Sequence, residues 1–346
     1  MTMIAQRFDY VIGVDTHART HTLVVIDGAG VRRKSDTFPT SAPGLRRAEA
    51  WIGRNAPGRT LVAMEGTGSY GALFAERLEQ AGFPVAETRP PRRQARRNGK
   101  SDDIDAELAA RFALTLPARE IAAPRRNSGN RAALQVLLTG RRHRTRERTA
   151  TVNMLTALLR THDLGVDART ALSSGTITAV AGWHARRSDG PAAATIRAEA
   201  ADLARRIRAL DSELTTNSVG LTRHVTALAP WLLEETGIGP VSAAQLLASW
   251  SHHGRVRSEA AFARLAGTAP IPASSGNTSR HRLHRGGDRH LNQALWTIAF
   301  NRTNTDEATR DYVARRTAEG KTRKEIIRCL KRYIARSLFR KLQNMP

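Results

Sequence analysis

Apolar and polar positions change their spacing twice along the chain, and the changes mark three regions. In the first, short β-branched runs alternate with amphipathic stretches. YVIGVDTH and THTLVVID read as two strands joined by a short polar turn, and VRRKSDTFPT as a third. APGLRRAEAWIGRN has helical spacing, RTLVAMEG is a short strand, GALFAERLEQAGF an amphipathic helix, and PVAETRP a further strand. SDDIDAELAARFAL opens on a serine cap and continues as helix.

Three strands followed by alternating helices and strands is a ribonuclease-H-like (RuvC-like) order, expected over residues 1–118. A dinucleotide-binding unit would instead place a glycine-rich turn directly after its first strand. Residues 119–225 read as long helices and a linker. Leu134, Leu137, Val152, Leu155 and Leu159 recur at helical spacing, interrupted by GRRHRTRERT. Further on, Ile196, Ala200, Leu203, Ile207, Leu210, Leu214 and Leu221 alternate steps of four and three with only Asn217 polar, the heptad pattern of a coiled coil. Residues 226–346 are helical again, with one long polar loop, APIPASSGNTSRHRLHRGGDRH, and a closing basic helix, KTRKEIIRCLKRYIARSLFRKLQ. The fold class expected is thus α/β plus all-α.

Charge narrows the function. Lys and Arg number 55 against 31 Asp and Glu, a formal net charge of +24, which favours a polyanionic partner such as nucleic acid. Arginine dominates, and its planar fork suits phosphate. No apolar run approaches the ~20 residues of a membrane span, and no signal-peptide layout opens the chain. Cys329 is the one cysteine, which excludes an internal disulfide and a cysteine-based zinc site. A reducing bacterial cytoplasm is the expected location.

Against this background four acids stand out. Asp15 lies in the apolar strand VIGVDTH, where a carboxylate needs compensation, for which a metal ion is one source and a strand-end turn another. Glu65 repeats the situation in LVAMEGTGSYG. Asp102 and Asp105 are three residues apart and share a helix face, where like charges repel unless a cation joins them. Asp103 and Glu107 point elsewhere, as solvated groups or partners of the helix N-terminus. Oxygen ligands alone suit Mg²⁺ or Mn²⁺ better than zinc, and a pair of such ions can clamp both oxygens of a phosphoryl transfer. The preceding RPPRRQARRNGK places Arg92, Arg93, Arg96, Arg97 and Lys100 where they would meet a phosphate backbone.

Other basic features point the same way. Arg141, Arg142, Arg144, Arg146 and Arg148 in RRHRTRER surround their helix, a pattern that buries nothing and either crosses solvent or tracks a polyanion. Gly237 and Gly239 in TGIGP either offer backbone N–H groups to a phosphate or form a tight turn between helices. His281, His284 and His290 are mixed with arginines and no cysteine, so phosphate contact is expected of them rather than metal binding. Aromatic residues make up only 5%, which fits backbone recognition better than base stacking.

GVDTH, MEGTGSYG and KSDDIDAELAARFA resemble the DEDD motifs of transposases of the insertion-sequence 110 family, which includes the Piv-type DNA invertases. TGIGPVSAAQLLA and LAGTAPIPASSGNTSRHRLHRGGDRHLNQALW are similar to that family's C-terminal domain. The resemblance implies a RuvC-like domain (1–118), a coiled-coil region (119–225) and a helical transposase domain (226–346). It implies Asp15, Glu65, Asp102 and Asp105 as catalytic metal ligands. It also implies Ser275, ahead of Gly276 and beside Ser274, as a nucleophile, with Arg280, Arg282 and Arg285 supplying positive charge. The implied activity is Mg²⁺-dependent DNA recombination guided by an element-encoded bridge RNA. Donor and target DNA would be joined by a homo-oligomer, a dimer or tetramer held by the coiled coil. Two readings of the residues remain beside it: a hydrolytic RuvC-like endonuclease using only the carboxylates, and a non-catalytic nucleic-acid-binding protein.

Overall fold

The computed structural model describes residues 2–88, 101–125, 128–273, 281–282 and 284–345. The chain divides into two compact units, Met1–Asn127 with Trp250–Phe262 and Arg340–Pro346, and Ser128–Ser249 with Ala263–Phe339.

The first unit starts with a single helical turn, α1 (Ile4–Arg7), and three consecutive strands, β1 (Tyr10–Thr16), β2 (Thr20–Asp27) and β3 (Arg32–Pro39). Then α2 (Ala42–Asn55), β4 (Thr60–Met64), α3 (Ala72–Gln80), β5 (Val85–Glu87) and α4 (Asp102–Leu114) alternate, as the hydrophobic pattern predicts. The sheet order is β3-β2-β1-β4-β5. β1 pairs antiparallel with β2, and β2 with β3. β1 and β4 run parallel, as do β4 and β5.

Strand alternation splits the apolar residues between two cores. Ile12, Val14, Leu23, Val25, Val62 and Met64 pack with Trp51 of α2 and Phe74 of α3. Val11, Val24, Ile26, Leu61 and Ala63 face Ala106, Ala110 and Ala113 of α4. α4 is buried through alanines alone, so it lies close on the sheet. Gly13 is its seat, since a Cβ there would stand 1.8 Å from the Ala106 carbonyl oxygen. The helix starts where its sequence predicts, with Ser101 Oγ accepting a hydrogen bond from Ile104 N at 3.3 Å. The later stretch Trp250–Phe262 joins this unit through Arg255, whose Nη2 lies 3.0 Å from Glu87 Oε2 at the end of β5.

In the second unit α5 (Gly129–Thr161) and α7 (Pro191–Leu228) form a long antiparallel pair, with α6 (Ser174–Ala181) against one end. Leu155 and Leu159 of α5 pack with Ile177 and Val180 of α6 and with Ala200, Ala204 and Ile207 of α7. The heptad series therefore finds a partner helix within its own chain. Its polar member, Asn217, is buried and donates from Nδ2 to Leu137 O at 3.0 Å.

The basic stretch of α5 corrects the premise that a helix polar all round buries nothing. Arg144 Nε lies 2.8 Å from Glu213 Oε2, and Arg148 pairs with Asp211. Arg141 donates to Leu214 O at 3.0 Å, and from α7 Arg206 returns a pair to Glu147 at 2.6 Å. Long arginine stems let one face of α5 lie on α7 while the charged heads reach acids along its edges.

The remaining elements are α8 (Trp231–Glu234), α9 (Pro240–Trp250), α10 (Glu259–Leu265), the hairpin of β6 (Ile271–Pro272) and β7 (His281–Arg282), α11 (Arg289–Thr305), α12 (Glu307–Ala318) and α13 (Arg323–Gln343). No described helix is long and apolar enough to cross a membrane.

Candidate functional site

Asp15 occupies the last turn of the pleat in β1, on the α4 side of the sheet by alternation from Val11 and Gly13. β1 and β4 are in register up to Val14 and Met64, and Asp15 and Glu65 follow these residues where the two strands end. Thr16 Oγ1 donates to Glu65 O at 3.1 Å, tying the two strand ends together. Gly66 follows with φ +65°, which turns the chain sharply away from the strand.

α4 brings the other two acids. Asp102, Asp103 and Asp105 all lie in its first turn, where the helix N-terminus favours negative charge. Asp15 and Asp102 are bridged by a residue the acid pattern does not single out. His17 Nε2 lies 3.1 Å from Asp15 Oδ2 and 3.8 Å from Asp102 Oδ1. One ligand atom from each of Asp15, His17 and Asp102 falls within 4.8 Å of the others. The signal for His17 is its proximity in sequence, two residues after Asp15 and just past the end of β1.

The electrostatics fit a cation site. Burial pushes the Asp15 carboxyl above its ordinary value of 3.8; Asp102 and Asp105 push it further, while His17 acts in the opposite sense. Asp15 thus feels both helix acids, as a shared ligand set requires. The carboxylate oxygens of Asp15 and Asp102 are hard donors that suit a divalent ion such as Mg²⁺ or Mn²⁺. Asp103 and Glu107 do different work. Arg32 of β3 reaches Asp103 at 2.5 Å and Glu107 at 3.3 Å, and Arg111 reaches Glu107 at 2.7 Å, so these acids fasten α4 to the sheet.

Several candidates, Arg92, Arg93, Arg96, Arg97, Lys100, Ser274, Ser275, Gly276 and Arg280, lie outside the described residues. Among the arginines of α5, Arg141, Arg144 and Arg148 are engaged with α7. Arg142 donates to the Thr139 hydroxyl at 2.8 Å, and Arg146 is exposed. Gly237 has φ +80°, and a Cβ there would meet Ile298 O at 3.0 Å. Arg302 Nε donates to Thr236 O at 2.8 Å, so the turn is held by α11. Around Gly239 there is open space. Arg282 and Arg285 are both exposed.

Known proteins match both halves of this arrangement. Residues 12–162 fit a family model for the DEDD transposases of IS110, described as "Transposase". Residues 229–314 fit another, "Transposase IS116/IS110/IS902 family". Over 119 residues the chain is 38% identical to the 43.6 kDa protein of insertion element IS110 from Streptomyces coelicolor. That alignment covers 34% of this chain and 29% of the relative. An acid-bearing α/β domain followed by a helical region, each matching a transposase family, places the chain in the transposase class. The chain belongs to the IS110 family of transposases.

Proposed function

We propose that the chain is a DNA recombinase that joins donor and target DNA under the direction of a bridge RNA. The observation that carries the reading is the meeting of Asp15, Asp102 and the field of Asp105 at the C-terminal end of the central strand β1, within a segment matching a DEDD transposase family. The strand order supports a RuvC-like domain. Asp15, Glu65, Asp102 and Asp105 would hold Mg²⁺ or Mn²⁺. When bound, such an ion neutralises charge developing on phosphate oxygens.

The chain's own groups do the rest. Ser275 Oγ forms a bond to a DNA phosphorus as a P–O bond to the deoxyribose breaks, and the serine proton ends on the released hydroxyl. A hydroxyl of the partner strand then takes the phosphorus back and returns the proton to Ser275, with no net hydrolysis. Arg280, Arg282 and Arg285 would face the negative phosphate during both steps. The net charge of +24 supports nucleic-acid partners. A homo-oligomer acting in a bacterial cytoplasm completes the proposal.

The test is to purify the protein with the transcript of its element and supply donor and target DNA with Mn²⁺. The expected result is recombination, a serine-linked DNA adduct, and loss of both in Ser275→Ala. Normal cutting by Ser275→Ala, with no adduct, would mean a hydrolytic endonuclease instead. Unchanged activity in Asp102→Asn would remove the metal site, and full recombination without RNA would remove the guide.

A further inference from the structure

Within the second unit, α13, β7 and residues 267–270 ahead of β6 line a groove of about 900 Å³. Its described lining includes four arginines and two lysines against one carboxylate, Glu325. That carboxylate is committed locally, accepting from Thr322 N at 2.9 Å and from Thr322 Oγ1 at 2.8 Å at the start of α13. The groove is therefore a concentrated positive surface.

At its wall sits Lys331, which is only 7% exposed. Its Nζ donates to Asn292 Oδ1 at 3.0 Å, while Asn292 Nδ2 is fixed on Ala266 O at 2.6 Å. Among the described residues no carboxylate pairs with this ammonium. Burial pushes its pKa below the ordinary lysine value, and Arg328 adds to the effect. A buried ammonium bonded to a neutral amide is costly unless an anion completes it. With three donors and one of them used, Lys331 is poised for an oxyanion.

We propose that this groove is a binding site for the phosphodiester backbone of a nucleic-acid strand, with Lys331 as the buried counter-charge to one phosphate and the exposed Arg282 and Arg328 beside it. The identification of the polyanion as nucleic acid rests on the recombinase reading; the oxyanion site itself does not. β6 and β7 are also the two strands that flank residues 273–280, so a strand held here runs past the stem of the segment carrying Ser275.

The chain reports on this groove directly, because its one cysteine, Cys329, lines it. In the full-length protein, alkylation of Cys329 by N-ethylmaleimide should slow about tenfold when a short single-stranded oligonucleotide saturates the groove. Lys331→Met should raise the oligonucleotide concentration for half-protection about tenfold, the loss of one charge-assisted hydrogen bond, and Lys331→Arg should restore most of it. Inorganic phosphate should protect only at far higher concentration, since it lacks neighbouring phosphates.

Equal protection of wild type and Lys331→Met, equal protection by polyglutamate, or no protection by the oligonucleotide would each overturn the proposal. If thermal melting shows Lys331→Met unfolded, Arg282→Ser and Arg328→Ser carry the same comparison, each expected to weaken protection several-fold. Asp15→Asn separates the two ideas. It should abolish strand transfer and leave protection unchanged, whereas a protein that protects Cys329 yet never recombines DNA refutes the recombinase reading alone.

Discussion

The Ala106 carbonyl oxygen lies 1.8 Å from the point where a Cβ on Gly13 would stand. No side chain fits at position 13 between β1 and α4, and that closeness sets how near the helix acids come to Asp15. Gly13→Ala should therefore displace α4, costing ~1–3 kcal/mol as overpacking does and weakening Mn²⁺ binding with it. Urea unfolding with and without Mn²⁺ checks both effects. Gly53→Ala is the control, because nothing lies within 4 Å of its Cβ position in α2. It should be neutral or stabilising, by up to ~1 kcal/mol; equal loss in the two variants would contradict this account of Gly13.

Asp15 yields a prediction in pH. Its carboxyl is raised above 3.8 by burial first, then by Asp102 and Asp105, so the folded chain binds this proton more tightly than the unfolded chain. The resulting contribution to stability is fully present below pH 3.8 and is lost as pH rises through the folded value. Above that value the ionised group opposes folding unless a cation is present. Asp15→Asn should therefore melt higher than wild type at neutral pH without metal, with the difference shrinking toward acid. Added Mn²⁺ should raise the wild-type melting temperature and leave the variant unchanged. A lower metal-free melting temperature in the variant would show that Asp15 is stabilised by something other than a cation.

The arginines of α5 divide by what they touch. Arg144 is paired with Glu213 on α7, whereas Arg146 is exposed. Arg144→Ala should lower the melting temperature and leave the salt dependence of oligonucleotide binding alone. Arg146→Ala should leave melting alone and, if α5 touches the polyanion, reduce the salt slope by about 1. Identical salt slopes for Arg146→Ala and wild type would take α5 out of the nucleic-acid surface.

How much of this could be read from sequence depends on range. The strands around Asp15, the Ser101 cap and the apolar series of α7 are local patterns, and the structure contains them. Asp102 and Asp105 on one face follow from helical spacing alone. The partners of the α5 arginines were not legible, because Glu213 and Asp211 stand 69 and 63 residues away, and only the antiparallel pairing of α5 with α7 brings them together. Lys331 was legible and easily missed. It stands four residues after Ile327 and three before Ile334, on the buried face of a helix whose overall character is basic. Gly13 likewise carried a signal, as the one glycine in an otherwise β-branched run, but what approaches it is known only from the fold.

His17 is the member of the cluster whose role the geometry decides most sharply. Its side chain is 48% exposed, against 14% for Asp15, and its Nε2 contacts carboxylate oxygens of both Asp15 and Asp102. Those are the oxygens a hard divalent ion would take, and Mg²⁺ prefers oxygen to imidazole nitrogen. In this arrangement the imidazole stands where a cation's attraction is needed, and binding of the ion would replace its hydrogen bond to Asp15 and its approach to Asp102. His17→Ala should consequently lower the metal-free melting temperature, since the two aspartates lose their bridge. It should change the Mn²⁺ dissociation constant no more than a few-fold, while Asp102→Asn, which removes a proposed ligand, weakens it by about a hundredfold or more, at least what loss of an outer partner costs a metal site. Calorimetric titration of the three proteins with Mn²⁺ measures both values. A hundredfold loss in His17→Ala as well would make the histidine a ligand and the site a mixed oxygen and nitrogen one.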